Sequence, residues 1–308
     1  MLVVQNLQKR YDKFIAVQDV SFHVQRAEVY GLLGPNGAGK SSTIRVLSCL
    51  AKPDGGSVFV DGLDIVQHQA QVKRTIGIVP QDFALYDDFS ALENLKFFGR
   101  LYGLGGVDLK TRATELLVAV GLLERQHEAV GTFSGGMKRR INIAAGLIHR
   151  PKMLYLDEPT VGIDPQSRRK ILDLVKTLNA AGLTVLYTTH YMEEAEELCH
   201  RIGVIDHGKI IAEGTLSQMR KMAGETSPIR LELRQALPAS QLEQLKTLSE
   251  DMIAQDNVVT LFAKDPKTAL AGILQMLSSF GAHLDHLELD EPDLETVFLK
   301  LTGRRLRD

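Results

Sequence analysis

The stretch VYGLLGPNGAGKSSTIRVL, residues 29–47, decides how this chain is read. Its first part is a continuous apolar run bounded by glycine, without alternation, which suits a strand buried on both faces. After Gly39 the pattern turns helical, with Ile44, Leu47 and Leu50 recurring at a period of three to four. Between strand and helix, GPNGAGKS at Gly34–Ser41 fits the spacing GxxxxGK[ST] in the context that gives the spacing its meaning. Gly34, Gly37 and Gly39 let backbone N–H groups converge on phosphate oxygens, and the following helix adds the positive end of its dipole. The candidate cradle is Gly34, Pro35, Asn36, Gly37, Ala38, Gly39, Lys40, Ser41 and Ser42. Lys40 can reach the β- and γ-phosphates, and the Ser41 hydroxyl can ligate Mg²⁺.

Working outward, MLYLDEP at Met153–Pro159 carries the matching acids. Four mainly apolar residues bring Asp157 to the carboxyl end of a strand, where ligands of open α/β sheets lie. There Asp157 would hold the magnesium shell, and Glu158 would polarise an attacking water. Around these motifs strands and helices alternate: TVLYTTH, RIGVID and KIIAEG read as strands, Pro165–Ala180 and Met192–Cys199 as helices. That order predicts a largely parallel sheet with helices on its faces. LVVQNL, FIAVQDVSFHV, SVFVDG and TIGIVPQ add strands, and Ser90 to about Leu123 reads as helical. Another helix is expected over Ser134–Ile148.

Composition narrows the class. At 308 residues, with 44% hydrophobic and 24% charged residues, the chain is an ordinary globular protein of about two domains. Lys and Arg number 36 against 38 Asp and Glu, which disfavours a globally basic nucleic-acid binder. Cys49 and Cys199 lack CxxC spacing, which suits a reducing compartment, and the nine histidines form no zinc pattern, so a metal would arrive with a ligand. No signal peptide is expected at the amino terminus. Ile141–Ile148, among the longest apolar runs, falls short of the roughly 20 residues of a membrane span, so work at a membrane would borrow other helices.

FSGGMKRR at Phe133–Arg140 takes the reading past a generic NTPase. A serine and two glycines opening a helix make an anion site, and Lys138, Arg139 and Arg140 sit in first turns where the dipole disfavours positive charge. They read either as facing an anion or as a solvated basic face. The run resembles the signature of ATP-binding-cassette (ABC) ATPases, and the other motifs of that family fall in order over about residues 1–220. The resemblance implies a P-loop α/β cassette, a mixed sheet with helices on both faces, with a helical subdomain near 85–150. It also implies a head-to-tail dimer, of two copies or of this chain with a similar cassette, in which Ser134, Gly135 and Gly136 of one subunit close over ATP and Mg²⁺ held by the other. Tyr11 matches the aromatic that stacks on adenine, and Gln81 the glutamine that touches magnesium and water on a loop meeting the membrane partner. Asp164 matches the loop crossing the dimer interface, and His190 the histidine on the γ-phosphate. Phe133 and Ile163 stand where leucine is common, and both stay apolar.

A boundary is expected near GETSPI at Gly224–Ile229, dividing a cassette of 1–224 from a small α+β domain of 225–308. Beyond it the order strand, helix, two strands, helix, strand is that of a ferredoxin-like domain, followed by a helix after Pro292. Residues 229–308 carry nine basic and thirteen acidic residues, a poor surface for nucleic acid. DLETVFLKLTG at Asp293–Gly303 and FSALENLKFFGRLYGL at Phe89–Leu104 resemble ATPase subunits of drug, lipid or polysaccharide exporters. The expected function is ATP hydrolysis driving export through separate membrane permease subunits, with this chain peripheral on the cytoplasmic face. The alternative is a soluble ABC ATPase of translation or DNA maintenance. Against it stand the single phosphate loop and the 94-residue gap from Lys40 to Ser134, which shows no sustained heptads.

Overall fold

The computed structural model describes residues 1–223, 226–289 and 294–302. The chain divides into two compact units, Met1–Glu213 and Gly214–Asp308.

In chain order the first unit contains β1 (Leu2–Tyr11), β2 (Phe14–Val24), β3 (Val29–Leu33), α1 (Lys40–Leu47), β4 (Gly55–Val60) and β5 (Leu63–Asp64). It continues through α2 (Gln69–Thr75), β6 (Ile76–Val79), α3 (Ala91–Leu101), α4 (Gly106–Ala119) and α5 (Gly135–Leu147). Then come β7 (Met153–Asp157), α6 (Pro165–Ala180), β8 (Thr184–Thr189), α7 (Met192–Leu198), β9 (Arg201–Asp206) and β10 (Lys209–Gly214). The ten strands form one mixed sheet in the order β5-β4-β1-β2-β10-β9-β3-β8-β7-β6. Its β9-β3-β8-β7-β6 half is parallel, and its β5-β4-β1-β2 edge is antiparallel. Every residue of β3, β7 and β8 is buried, which is why β3 and the first four residues of β7 read as apolar runs without alternation.

Register then does the positioning. Leu33 pairs with Thr189, and Asp157 with Thr188, so the carboxyl ends of β3, β7 and β8 finish level at one edge. The phosphate loop, the Asp157–Glu158 pair and His190 all leave the sheet there. One apolar core beneath the sheet joins α3, α4, α5 and α6 through residues such as Leu95, Leu117, Ile143 and Ile171. A second joins β1, β2 and β4 to α1 through Leu2, Val20, Val58 and Leu47. The helical pattern from Ser90 to Leu123 is broken into two helices, because Gly103 takes φ +83° after α3 and Gly105 opens α4. Ser90 starts α3 with a capping box to Glu93.

The second unit holds α8 (Leu216–Ala223), β11 (Ser227–Leu233), α9 (Ala239–Lys246), β12 (Asp251–Gln255), β13 (Val258–Ala263), α10 (Pro266–Ser279), β14 (Leu284–Leu289) and α11 (Leu294–Thr302). The order β12-β13-β11-β14, antiparallel throughout, is the ferredoxin-like arrangement of two interleaved βαβ halves. Ile229, Leu231, Val259, Leu261, Ile273 and Leu277 fill its core. Gly224, Pro292, Asp293 and Gly303, which took part in the sequence reading, lie outside the described residues. Cys49 and Cys199 are both free thiols. Among the described residues no helix is long and apolar enough to cross a membrane.

Candidate functional site

The loop Gly34–Gly39 turns tightly because its backbone is tied at both ends. Gly34 N–H donates to Thr189 O (3.2 Å), and Ala38 O accepts from Gly208 N–H (2.9 Å). Gly39 takes φ +109°, and a Cβ there would stand 2.5 Å from Ala16 O, so only glycine fits. The helix that follows has no side-chain cap and no acid in its first turn, leaving its N–H groups and positive dipole end uncompensated. A cavity of about 230 Å³ lies in this cradle, lined by Asn36, Gly37, Gly39, Lys40, Ser41 and Ser42, with Phe14, Ala16, Gln81 and Glu158 opposite.

Lys40 folds back into the loop. Its ammonium donates to Gly34 O (2.5 Å) and Pro35 O (2.9 Å) and lies 2.9 Å from Glu158 Oε1. Both side chains of this ion pair are about 95% withdrawn from solvent, at 3% and 5% exposure. His190 Nδ1 stands 3.3 Å from Glu158 Oε2 but off the direction of a hydrogen bond, and it has no other partner. Glu158 itself adopts φ +45°, a left-handed conformation rare for a non-glycine residue, and its N–H is held by Thr188 Oγ1 (3.0 Å). Cation, carboxylate and imidazole therefore meet at one point beside the cavity.

Asp157 sits one residue earlier and faces differently. Its Oδ1 accepts from Thr188 Oγ1 (2.7 Å) and from Ser41 Oγ (3.2 Å). Burial pushes its carboxyl above the usual range, partly offset by those two hydroxyls. A buried carboxylate bonded to the Ser41 hydroxyl, with Ser41 and Gln81 both on the cavity wall, supplies hard oxygens of the kind that suit Mg²⁺.

Of the other positions, Gln81 lines the cavity, whereas Ser134, Gly135, Gly136 and Asp164 do not. These four lie at the starts of two neighbouring helices, α5 and α6. Ser134 caps α5 by accepting from Met137 N–H (3.3 Å), and Asp164 caps α6 by accepting from Ser167 N–H (2.9 Å). Gly136 packs so closely on Ser167 that a Cβ would stand 2.2 Å from its side chain, locking the two helix starts together. Tyr11 is also absent from the cavity wall, where Phe14 appears instead. The two aromatics face each other across the β1–β2 turn, Tyr11 paired with Phe14, and Phe14 is 61% exposed. Paired residues of a hairpin share a face, so the turn joins Phe14 to Tyr11 on one side of the ribbon.

The basic run at Lys138–Arg140 takes roles that its sequence did not show, and Glu194 was not singled out at all. Arg139 neither faces an anion nor lies on a solvated face: it is buried, donating to Pro80 O (2.6 Å) and to Gln81 O and stacking over Phe83. It thus ties α5 to the loop that carries Gln81. Arg140 is likewise spent on Val120 O (2.5 Å), and Lys138 pairs with Asp87 (2.8 Å). Beneath His190, the buried carboxylate of Glu194 accepts from Thr160 Oγ1 (2.6 Å), Tyr187 OH (2.9 Å) and Thr189 Oγ1 (2.9 Å). That network fixes the end of β8 and, with it, the backbone on which His190 sits.

Comparison with known proteins agrees with this geometry. The profile of the family described as ABC transporter matches residues 17–161. The chain is 46% identical, over all of both sequences, to the linearmycin resistance ATP-binding protein LnrL of Bacillus subtilis. It is 42% identical to the doxorubicin resistance ATP-binding protein DrrA of Mycobacterium tuberculosis, covering 98% of this chain and 93% of that one. Among solved structures it is similar, with a TM-score of 0.64 and 28% identity, to the dimeric post-hydrolysis state of the ATP-binding cassette MJ0796 bound to ADP and phosphate. That match spans 70% of this chain and 98% of the other. With the phosphate loop, the paired acids and the serine-glycine turn in their places, this chain belongs to the ABC transporter family, as one of its ATP-binding, ATP-hydrolysing subunits.

Proposed function

We propose that the chain is the motor of an exporter, hydrolysing ATP·Mg²⁺ as a head-to-tail pair of cassettes attached to separate membrane subunits on the cytoplasmic side. The observation that carries this reading is the buried contact of Lys40 with Glu158, flanked by His190, inside the phosphate cradle. In that contact the groups needed for phosphoryl transfer to water neutralise one another. A bound triphosphate offers Lys40 a stronger anionic partner and releases Glu158 as a base.

Each residue then has a task. Backbone N–H groups of Gly37–Ser42 and the Lys40 ammonium bind the phosphates, and the Phe14–Tyr11 ribbon face receives the base. Ser41, Asp157 and Gln81 would hold Mg²⁺, which neutralises phosphate charge when present. Glu158 accepts the proton of a water whose oxygen attacks the γ-phosphorus as the bond to the ADP oxygen breaks. His190 orients the γ-phosphate beside it. Ser134, Gly135, Gly136 and Asp164 stand off the cavity of their own chain, which fits service to the nucleotide of a second copy. Closure is then a population shift, since the triphosphate touches both copies only when they are joined. The two relatives named for resistance to linearmycin and doxorubicin support a drug-like cargo and outward transport.

Light scattering on the Glu158→Gln protein with ATP and Mg²⁺ tests the assembly. A dimer is expected, and adding Ser134→Arg should return it to monomer while ATP binding persists. A dimer that survives Ser134→Arg would remove the head-to-tail arrangement. Co-purification of polytopic membrane subunits from detergent extracts tests the transport role; association with ribosomes or DNA instead would overturn it.

A further inference from the structure

A second cavity, of about 530 Å³, lies at the opposite end of the central strands. Lys152 and Thr184 on its wall stand at the amino ends of β7 and β8, whereas the nucleotide site lies at their carboxyl ends. The length of β7 separates the two by about 16 Å at about 3.3 Å per residue. Its floor is apolar, built from Leu147, Pro151, Leu178 and Leu183, and its charged lining is wholly cationic: Arg26, Arg112, Arg150 and Lys152. These residues come from four separate segments of the chain, so no local pattern accounts for their meeting.

Carboxylates are near, but none lines the cavity. Asp61 is shared by Arg26 and Lys152, one acid against two cations. Arg150 pairs with Asp108 at 3.2 Å and Arg112 with Glu115 at 3.3 Å, and both acids are more than half exposed, where such pairs are weak and screened. Arg112 is the informative member. One of its terminal nitrogens donates to Leu147 O (3.0 Å) at the end of α5, which is an ordinary role near a helix C-terminus. Its Nε–H, however, is buried and has no partner. Arg112 is also the least exposed of the four cationic side chains, at 20% against 52–68% for the others, so an anion paired with it in the cavity is screened least.

We propose that this cavity binds an organic anion: a carboxylate or phosphate monoester carried on an apolar body, its head on Arg112 with Arg150 and Lys152 nearby and its body on the leucines. The volume lies within the range of small-molecule pockets, about 300–1,000 Å³. Nothing in the lining resembles a phosphate loop, so a nucleotide is not the ligand suggested. The site is independent of the catalytic centre and stands whether or not the motor reading holds.

Calorimetric titration of the full-length protein with laurate and with dodecyl phosphate, each kept below its micellar concentration, tests this. Saturable 1:1 binding is expected for at least one of them, and the tighter of the two identifies the head group. Dodecyltrimethylammonium, with the same tail and the opposite charge, should not bind. Arg112→Gln should weaken binding about tenfold, and Ala181→Trp, at the exposed C-terminal end of α6, should block it by filling the cavity. Both variants should retain ATP affinity, which certifies their fold. Absence of 1:1 binding by either anion, equal binding of the cationic analogue, or unchanged affinity in both variants would overturn the proposal.

Discussion

Replacing Glu158 by glutamine separates three effects that the geometry of the phosphate cradle couples. The Glu158 carboxylate lies 2.9 Å from Lys40 Nζ, and both are buried. Removing one partner of such a pair outright costs about 3–5 kcal/mol, because the other charge stays buried without compensation. Glutamine is gentler: its carbonyl oxygen can still accept, and Lys40 keeps Gly34 O and Pro35 O. A loss of about 2 kcal/mol is the reasonable magnitude, within the roughly 1.5–3 kcal/mol that a hydrogen bond to a charged group contributes. For a unit of this size that corresponds to a fall of about 4–8 °C in melting temperature. ATP binding should move the other way. The wild-type protein must break the pair before Lys40 can serve phosphate, so removing it should tighten ATP by up to about thirtyfold, the same 2 kcal/mol expressed as affinity. Steady-state hydrolysis should fall by about 10²–10⁴, the usual worth of a general base. Differential scanning fluorimetry without nucleotide, calorimetry with ATP, and phosphate release read the three quantities separately. A variant that melts with the wild type and binds ATP no tighter would show that the Lys40–Glu158 contact carries no energy, and the account of the site would fail even if hydrolysis were lost.

Other substitutions address the remaining parts. Phe14→Ala should weaken ATP about tenfold, the loss of one base-stacking face worth about 1–3 kcal/mol, while leaving maximal turnover near wild type; an affinity that depends on Tyr11 alone would refute it. Asp157→Asn removes a carboxyl whose folded-state pKa is raised by burial. Such a group costs the fold nothing when protonated at low pH, and the cost grows as pH rises above the ordinary carboxylate value through the folded one. The asparagine protein should therefore match the wild type in acid, melt higher than it at neutral pH without nucleotide, and lose the Mg²⁺-dependent rise in melting temperature seen with ATP. Gly136→Ala forces a Cβ to within 2.2 Å of the Ser167 side chain and should cost about 1–3 kcal/mol in urea unfolding. Arg139→Met removes the tie to Pro80 O and Gln81 O, and should lower hydrolysis more than ATP affinity, as measured by phosphate release and calorimetry.

What could be read in the sequence divides along a physical line. The phosphate cradle was legible because its chemistry is local: glycines, lysine and serine must follow one another within a single strand–turn–helix. The ferredoxin-like order of the second unit was legible for a related reason, since each element there carries its own period. Groups that matter through distant partners were not legible. Arg139 sits in a run of three basic residues, and nothing in that run tells that its guanidinium finds carbonyls 58 and 59 residues away rather than solvent. Phe14 joins the cavity because a two-residue turn sets it opposite Tyr11, and one more residue in that turn would have sent it to the other face. Glu194 reads as one acid among several on a short helix until three hydroxyls from β8 and the loop after β7 converge on it. The same reasoning explains why the basic cavity at the amino ends of β7 and β8 left no trace in composition. A chain with nearly balanced charge can still gather four cations around an apolar floor, because folding sorts charges by position while composition only counts them. Sites made of one segment announce themselves in sequence; sites made of many appear only when register and packing bring the segments together.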